Sequence, residues 1–277
     1  MANQCSSPEP LDAFKILSRM DFDIRTAVND LQIEDSLDST NTAIQRLPAN
    51  QQHGTVIMAE QQLAGRGRRG KYWHSPYGKN LYMSLGWRFE KKVTEIGCLP
   101  LVVALSAATA LQTAGLKGHK VKWPNDLLLD DRKLAGCLVE VQGDPMGSCD
   151  IVIGIGINVH MSTSEDAEAK IDQPWIDLES HLPNCSRNSL AAWLLDALFT
   201  QLPLFASQGF EPFKAAWQQY DGLNGKFVDV TSGTDTLYGL AAGIDEQGAL
   251  LLDTGGSVQH LHSAEVSIKP RSNRRIV

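Results

Sequence analysis

Residues 122–136 read K-W-P-N-D-L-L-L-D-D-R-K-L-A-G and combine the end of one strand, a turn and the start of another. Pro124 fixes its own φ and biases Trp123 towards an extended backbone, so we expect the chain to leave a strand here and turn. Lys133 stands at the entrance of the next apolar strand. The turn presents three polar side chains near a predicted sheet end, those of Lys122, Asn125 and Asp126. An ordinary strand exit with solvated polar ends explains the same letters, and a lysine beside a turn usually lies on the surface.

The segments around this stretch alternate between strand and helix patterns. Short buried or alternating runs predict strands at 55–58, 80–89, 133–142 and 151–158. Apolar residues at helical spacing predict helices at 11–20, 95–114, 188–199 and 210–220. The N-capping residues of D-S-T at 38–40 predict one more helix, running to about residue 46. These patterns indicate a mixed α/β fold.

The pattern changes after Gly225 to short β-rich runs separated by turns such as D-E-Q-G and T-G-G. Such turns match hairpin chemistry, and about fifty residues of these strands favour a small barrel. We therefore predict an N-terminal extension, a main domain and a small C-terminal β domain, at residues 1–30, 31–222 and 223–277. The main body begins near residue 30, which leaves no room before it for a helix-turn-helix domain.

Composition limits the classes of function. The net charge of −7 opposes polyanion binding unless a strong local patch overcomes it. The five cysteines are odd in number and widely spaced, without a C-x-x-C pair, which favours free thiols in a reducing cytosol over a disulfide framework or a zinc site. The N-terminus lacks a secretory pattern, and no run approaches a membrane span, the best candidate being 99–111. We expect a cytoplasmic protein that does not bind membranes.

The loop G-R-G-R-R-G at 65–70 is the strongest candidate for anion binding. Glycines let a ligand approach backbone N–H groups, and arginine offers a rigid fork of donors for phosphate. The spacing matches neither a Walker A loop nor a dinucleotide-binding loop. A solvated basic turn is the alternative, and an RGG-type nucleic-acid patch is disfavoured by the acidic chain.

The run G-I-G-I-N at 154–158 places two glycines inside a β-branched strand. Interior glycine weakens a strand unless something approaches the backbone closely. A ligand, a bulge or a packed helix would each account for it.

Together and in this order, these stretches resemble the biotin protein ligases. The matching residues are D-S-T-N (38–41), G-R-G-R-R-G-K-Y-W (65–73), the opening stretch at 122–136, G-I-G-I-N (154–158) and G-I-D-E-Q-G-A-L-L-L (243–252). The resemblance implies a mixed central β-sheet flanked by helices, similar to the class II aminoacyl-tRNA synthetase catalytic fold, with a C-terminal SH3-like β-barrel. It also implies two steps. Biotin and MgATP form biotinyl-5′-AMP, and a lysine of a carrier protein, usually the biotin carrier domain of acetyl-CoA carboxylase, then takes the biotin.

The resemblance also suggests site residues. Those implied to bind biotin are Ser39, Thr40, Asn41, Gln62, Gly65, Arg66, Arg68, Lys133, Gly136 and Gly156. Those implied to bind the nucleotide are Arg68, Trp73, Lys122, Asn125, Asn158 and Arg187. The catalytic set is Arg66, Arg68, Lys133 and Asp126. Asp126 could instead hold Mg²⁺, and the sequence does not choose between that role and deprotonation of the incoming amine.

Departures and alternatives also follow. Leu63 stands where relatives commonly have a polar residue. The N-terminal DNA-binding domain of the bifunctional members is not found, so we expect a monofunctional ligase that does not act as a repressor. A lipoate ligase and a non-catalytic biotin or nucleotide sensor are the competing hypotheses. The sequence does not reveal the oligomeric state, which leaves a homodimer open.

Overall fold

The computed structural model describes residues 9–142, 147–163, 171, 173–232, 235–262 and 267–270. The strands in this part of the chain are β1 (Asp30–Leu37), β2 (Thr55–Gln62), β3 (Leu81–Phe89), β4 (Lys120–Lys122), β5 (Asp126–Leu129), β6 (Arg132–Gln142), β7 (Cys149–Ile157), β8 (Phe227–Ser232), β9 (Asp235–Ile244), β10 (Leu250–Asp253), β11 (Val258–Leu261) and β12 (Ser267–Pro270). Its helices are α1 (Ala13–Arg19), α2 (Phe22–Arg25), α3 (Thr40–Arg46), α4 (Ala49–Gln52), α5 (Leu99–Thr113), α6 (Arg187–Gln208) and α7 (Lys214–Tyr220).

Seven strands form one central sheet in the order β1-β2-β3-β7-β6-β5-β4. Strands β1 and β2 are parallel, and the other neighbours are antiparallel, so the sheet is mixed as predicted. The strand expected to end at Lys122 is β4, whereas the sequence patterns missed β1 and β5. Strand β1 is a polar edge strand and β5 has four residues, so pairing with neighbours rather than alternation of their own makes them strands.

The two faces of this sheet differ because side chains alternate along each strand. One face carries Met83, Ile153 and Ile155 into the main core, where α5 and α6 cover it. The other face carries α3 and three glycines of β6 and β7. Pairing of β6 with β7 places Gly136 opposite Gly156, and Gly154 lies two residues before Gly156 on β7. On this second face, the glycines let other groups approach the backbone of the strands closely.

Helix α6 is longer than the predicted 188–199, because it begins at Arg187 and continues past Pro203 to Gln208. By length and composition it could cross a membrane, which the sequence reading overlooked. Here it packs against α5 with five of its six leucines buried, as a core helix does. Tertiary packing therefore carries the helix beyond the proline that its intrinsic propensity would favour as an end.

The C-terminal strands form a five-stranded antiparallel sheet in the order β11-β10-β9-β8-β12. Its apolar residues Val228, Leu250 and Leu252 belong to the same core cluster as the central sheet. The buried indole of Trp123 donates to the Gly248 carbonyl oxygen at 2.8 Å. The turn that carries the polar side chains of the opening stretch is therefore braced by the C-terminal sheet.

From Glu9 onwards, the segment predicted as an N-terminal extension packs on the main body. Ile16 of α1 is fully buried, and α1 packs on α6. The Leu11 amide donates to Glu60 Oε1 of β2 at 2.6 Å. Residues 1–8, including Cys5, lie outside the described residues. The boundaries at 30 and 222 stay predictions.

Candidate active site

A buried polar cluster surrounds the start of α3. Ser39 is the N-cap residue, and the next turn is the helical one that the sequence predicted. The Thr40 amide donates to Gln62 Oε1 at 2.9 Å, and Thr40 Oγ1 lies 2.7 Å from Ser84 Oγ. Ser84 Oγ donates to Asn41 Oδ1 at 2.5 Å. The four residues predicted to surround biotin's ureido ring thus meet at one place, with Ser84 as a member that the sequence reading missed.

The same cluster reaches the end of the glycine–arginine loop. Gln62 Nε2 donates to Ser75 Oγ at 3.1 Å, and Ser75 Oγ donates to the Trp73 carbonyl oxygen at 3.0 Å. The Trp73 amide in turn donates to the Gly65 carbonyl oxygen at 2.9 Å. A Cβ at Gly65 would lie 2.5 Å from the Trp73 carbonyl oxygen, so only glycine fits where the loop closes on itself.

The indole of Trp73 covers the glycines of β6 and β7. We call Gly136, Gly154 and Gly156 the glycine floor. A Cβ at Gly156 would lie 2.5 Å from Trp73 Cε2, and one at Gly136 would lie 3.1 Å from Trp73 Cζ3. A Cβ added at Gly154 would likewise overlap Asn41 Oδ1. The Trp73 indole N–H is buried without a hydrogen-bond partner among the described residues, an uncommon state for a buried donor.

Lys133 and Asp126 form an ion pair beside this floor. Lys133 Nζ lies 2.9 Å from Asp126 Oδ1, and both side chains are mostly buried. The same ammonium lies 5.3 Å from the centre of the Trp73 ring, within range of a cation–π attraction. Antiparallel pairing of β5 with β6 sets Asp126 opposite Gly136, which explains why the turn of the opening stretch faces the glycines.

Arg68 joins the loop to the same turn. Arg68 Nη1 donates to Asn125 Oδ1 at 3.1 Å, and Asn125 Nδ2 donates to the Cys137 carbonyl oxygen at 2.5 Å. Burial lowers the pKa of the Arg68 guanidinium, while the charge of Asp126 opposes that shift. An arginine remains a cation under such perturbation, so the loop delivers a partly desolvated positive charge to the site.

Glu140 is a second residue that the sequence reading missed. Its Oε2 accepts from Asn41 Nδ2 at 2.6 Å and from Arg66 Nη2 at 3.1 Å. The signal was present in the strand pattern, because Glu140 lies four residues after Gly136 and therefore shares its face of β6.

Two further predicted residues lie at the margin of the site. The Asn158 side chain donates to the carbonyl oxygens of Lys133 and Ile176 at 3.3 Å and 3.0 Å. It therefore fixes the backbone that carries Lys133. Lys122 is half-buried, and its backbone lies opposite that of Asp126 where β4 pairs with β5.

Arg187 is not part of this face, so its predicted nucleotide contact is corrected. Its guanidinium lies on the core face of the sheet, where Nη1 donates to Glu60 Oε2 at 2.6 Å. Nη2 donates to the Glu9 carbonyl oxygen at 2.8 Å. The position at the start of α6 gave no hint of this partner, since Glu60 is 127 residues away.

Asp126 is the carboxylate predicted to hold a magnesium ion in this site. Among the described residues, no group of three or more histidine, cysteine, aspartate or glutamate side chains could hold a metal ion. Mg²⁺ in nucleotide sites commonly uses one or two carboxylates and takes its other ligands from phosphates and water. Asp126 fits that requirement, because it lies between Lys133 and the turn that contacts Arg68.

Comparisons with known proteins identify the relatives of this chain. The family described as "Biotin/lipoate A/B protein ligase family" matches residues 34–158, and "Biotin protein ligase C terminal domain" matches residues 225–269. The chain is 39% identical over 267 residues to the bifunctional ligase/repressor BirA of Escherichia coli (strain K12), covering 95% of this chain and 81% of that protein. It is 30% identical over 232 residues to the biotin--[acetyl-CoA-carboxylase] ligase of Paracoccus denitrificans, covering 83% of this chain and 96% of that protein. Among solved structures, the biotin protein ligase from Aquifex aeolicus in complex with biotin and ATP superposes with a TM-score of 0.75 at 26% identity, covering 88% of this chain and 100% of that one.

Proposed function

The chain belongs to the biotin protein ligase family, and we propose how its residues divide the work of activating biotin with ATP and transferring it to a carrier lysine. One observation carries the assignment. Lys133 lies 2.9 Å from Asp126 and 5.3 Å from the Trp73 ring centre, at the junction of the polar cluster and the arginine loop. The enzyme is an ATP-dependent ligase, and biotin and ATP are its substrates.

In the first step, a carboxylate oxygen of biotin attacks the α-phosphorus of ATP, and the bond to pyrophosphate breaks. Two anions must approach each other, so cations that contact the developing charge lower the barrier most. We assign this task to Lys133, Arg66 and Arg68. Mg²⁺, when bound at Asp126, would neutralise phosphate oxygens further. The buried indole N–H of Trp73 is a donor that a ligand could satisfy.

In the second step, the ε-amine of a carrier lysine attacks the acyl carbon of biotinyl-5′-AMP, an amide forms, and AMP leaves. A free lysine has a pKa near 10.4, so the amine must lose a proton before it attacks. Asp126 is the carboxylate nearest to Lys133 in the site, and it is assigned either as the proton acceptor or as the magnesium ligand. We propose the biotin carrier domain of acetyl-CoA carboxylase as the acceptor, following the name of the Paracoccus relative.

Biotin is favoured over lipoate by the polar cluster. Thr40, Asn41, Gln62 and Ser84 form a buried set of donors and acceptors that suits the N–H and C=O groups of a ureido ring. The dithiolane ring of lipoate has no such groups and could not exchange hydrogen bonds with this set. A site built for hydrogen bonds rejects a substrate that lacks them strongly, by roughly 10⁴-fold in favourable cases.

Native mass spectrometry tests this proposal directly. The chain is incubated with biotin and MgATP, and a parallel sample receives lipoate. A retained mass equal to biotinyl-5′-AMP, with biotin alone, supports the assignment. The same shift with lipoate instead would overturn the substrate, and binding of biotin without turnover would favour a sensor. A purified carrier domain then provides the test of the second half-reaction, because the adduct should disappear as the carrier gains mass.

Two accompanying proposals concern the cellular compartment of the enzyme and its lack of DNA binding. We propose a cytoplasmic enzyme, since the four described cysteines are free thiols, which suit a reducing compartment. The absence of operator binding stays a prediction that rests on the net charge of −7. A mobility shift on operator-like DNA at physiological salt would contradict it.

A further inference from the structure

Glu140 lies where the floor of the site meets the arginine loop, and neither the family resemblance nor the predicted site included it. Its Oε2 atom accepts two hydrogen bonds, from Asn41 Nδ2 at 2.6 Å and from Arg66 Nη2 at 3.1 Å. The bond to Arg66 is also an ion pair, and its two side chains are 40% and 26% exposed. An exposed ion pair of this kind usually contributes little to stability, so its effect depends on what holds the Glu140 carboxylate in place.

Asn41 fixes the carboxylate from below. The Asn41 side chain is buried, its Oδ1 accepts from Ser84 at 2.5 Å, and it lies so close to Gly154 that an added Cβ would overlap it. The amide therefore has one orientation, with Nδ2 directed at Glu140. Holding one partner of an ion pair in advance reduces the rotamer entropy that its formation would otherwise cost.

The loop is tied to the same cluster at its other end. The hydrogen bonds run from Asn41 through Ser84 and Thr40 to Gln62. From Gln62 they continue through Ser75 to the carbonyl oxygen of Trp73. Arg66 stands near the start of the loop and Trp73 at its end, so one chain of polar contacts holds both ends against the predicted ureido site.

We propose that Glu140 is a positioning residue for the adenylation step, acting through Arg66. It holds one side of the guanidinium, and the remaining N–H groups stay directed at the biotin carboxylate and the α-phosphate. In this role, the Glu140 carboxylate orients the arginine and does not itself contact the reacting atoms. The catalytic consequence rests on the proposed function, whereas the placement of the loop does not.

A double-mutant cycle tests the coupling. Glu140→Ala, Arg66→Ala and the double variant are compared by biotin-dependent exchange of pyrophosphate into ATP, with kcat and KM determined separately for biotin and ATP. Losing an oriented, charge-assisted contact should lower kcat/KM about tenfold in each single variant. If Glu140 acts through Arg66, the double variant falls no further than Arg66→Ala, within about twofold. A multiplied loss of about 100-fold would overturn the proposal, since it would mean independent roles.

Glu140→Gln separates orientation from folding. Glutamine keeps an acceptor for Asn41 and Arg66 but removes the charge, so it should recover more than half of the logarithmic loss in kcat/KM. If kcat/KM of Glu140→Gln were no higher than that of Glu140→Ala, positioning by hydrogen bonding would be contradicted. Asp150→Ala is the matched control, because Asp150 also pairs with an arginine, Arg88 at 2.7 Å, on the surface of the same sheet. It should leave kcat/KM unchanged.

Hydrogen exchange of the free protein supplies a readout that does not require ligase activity. The amides of Gly67 and Trp73 close the loop through bonds to Lys71 and Gly65. Glu140→Ala should speed their exchange several-fold, and Asp150→Ala should not. Unchanged protection in Glu140→Ala would overturn the proposal whatever the enzyme assay shows. If wild-type protein lacked biotin-dependent exchange of pyrophosphate, the proposed function would fail, while the protection data would still decide the placement of Arg66.

Discussion

Replacement of Arg187 by methionine should destabilise the fold without weakening nucleotide binding. Its guanidinium and the carboxylate of Glu60 are 1% and 7% exposed, at an N–O distance of 2.6 Å. The guanidinium also donates to the backbone carbonyl oxygens of Asn80 and Glu9, at 3.3 Å and 2.8 Å. Glu60 accepts in addition from the Leu11 amide at 2.6 Å. The pair thus ties the N-terminal segment to β2 on the core face of the sheet.

The magnitude follows from what Arg187→Met leaves behind. Methionine fills a similar space and suits a helix, but it leaves the Glu60 carboxylate buried beside apolar groups with the Leu11 amide as its described partner. Removing one partner of a buried ion pair costs about 3–5 kcal/mol, a large share of the roughly 5–15 kcal/mol that stabilises a domain. At about 2–4 °C per kcal/mol for a protein of this size, we expect Tm to fall by roughly 6–20 °C.

The assay combines calorimetry of the free protein with ATP kinetics at a temperature where the variant is folded. KM for ATP should stay within about twofold of the wild-type value, because no nucleotide contact is lost. Arg88→Met is the control: the Arg88 side chain is 37% exposed in its pair with Asp150, so its loss should cost at most about 1 kcal/mol. A Tm within about 2 °C of wild type, together with a tenfold rise in the KM for ATP, would refute the structural role and restore Arg187 to the nucleotide site.

Three further predictions follow from the site and the core. Lys133→Gln should lower the rate of biotin-dependent pyrophosphate exchange at least about 100-fold, because a cation that stabilises developing charge is lost. Calorimetry should show that the variant is folded. A rate within about threefold of wild type would remove Lys133 from the catalytic set. Gly156→Ala should raise the KM for biotin about tenfold or more, since its Cβ would lie 2.5 Å from Trp73 Cε2 and force the indole off the glycine floor. An unchanged KM for biotin would mean that biotin does not use this surface. Burial raises the pKa of the Asp221 carboxyl, so wild-type stability should fall as pH rises through the folded-state pKa. Asp221→Asn keeps the acceptor, and its stability gain over wild type in urea unfolding should be larger near pH 7 than near pH 4; an equal gain at both would contradict the buried charge.

Local patterns were enough for most of the elements. Alternation and helical spacing predicted β3, β6, β7 and α5, because each of these buries one face or a whole run of its own residues. Strand β1 was missed because it is polar and owes its conformation to parallel pairing with β2. Helix α6 was predicted too short because its packing on α5 outweighs the break that Pro203 would favour.

The site was predictable to the extent that it is built from contiguous motifs. Thr40, Lys133 and Arg68 each stand in a short stretch whose chemistry can be read directly, and the fold brings these stretches to one face. Glu140 and Ser84 stand inside strands whose letters look like ordinary sheet. Their roles appear only when the neighbours of those strands are known.

The sequence by itself determined the order of most strands and helices, the β-rich tail and the glycine–arginine and K-W-P-N-D motifs, because propensity and spacing act over a few residues. Only the tertiary structure decided which side of the sheet each polar side chain serves. Arg187 meets Glu60 across 127 residues of chain and Arg66 meets Glu140 across 74, and nothing local encodes either partner. Periodicity tells which residues of a strand share a face, but strand order and register decide which faces meet, and these depend on the packing of the whole core.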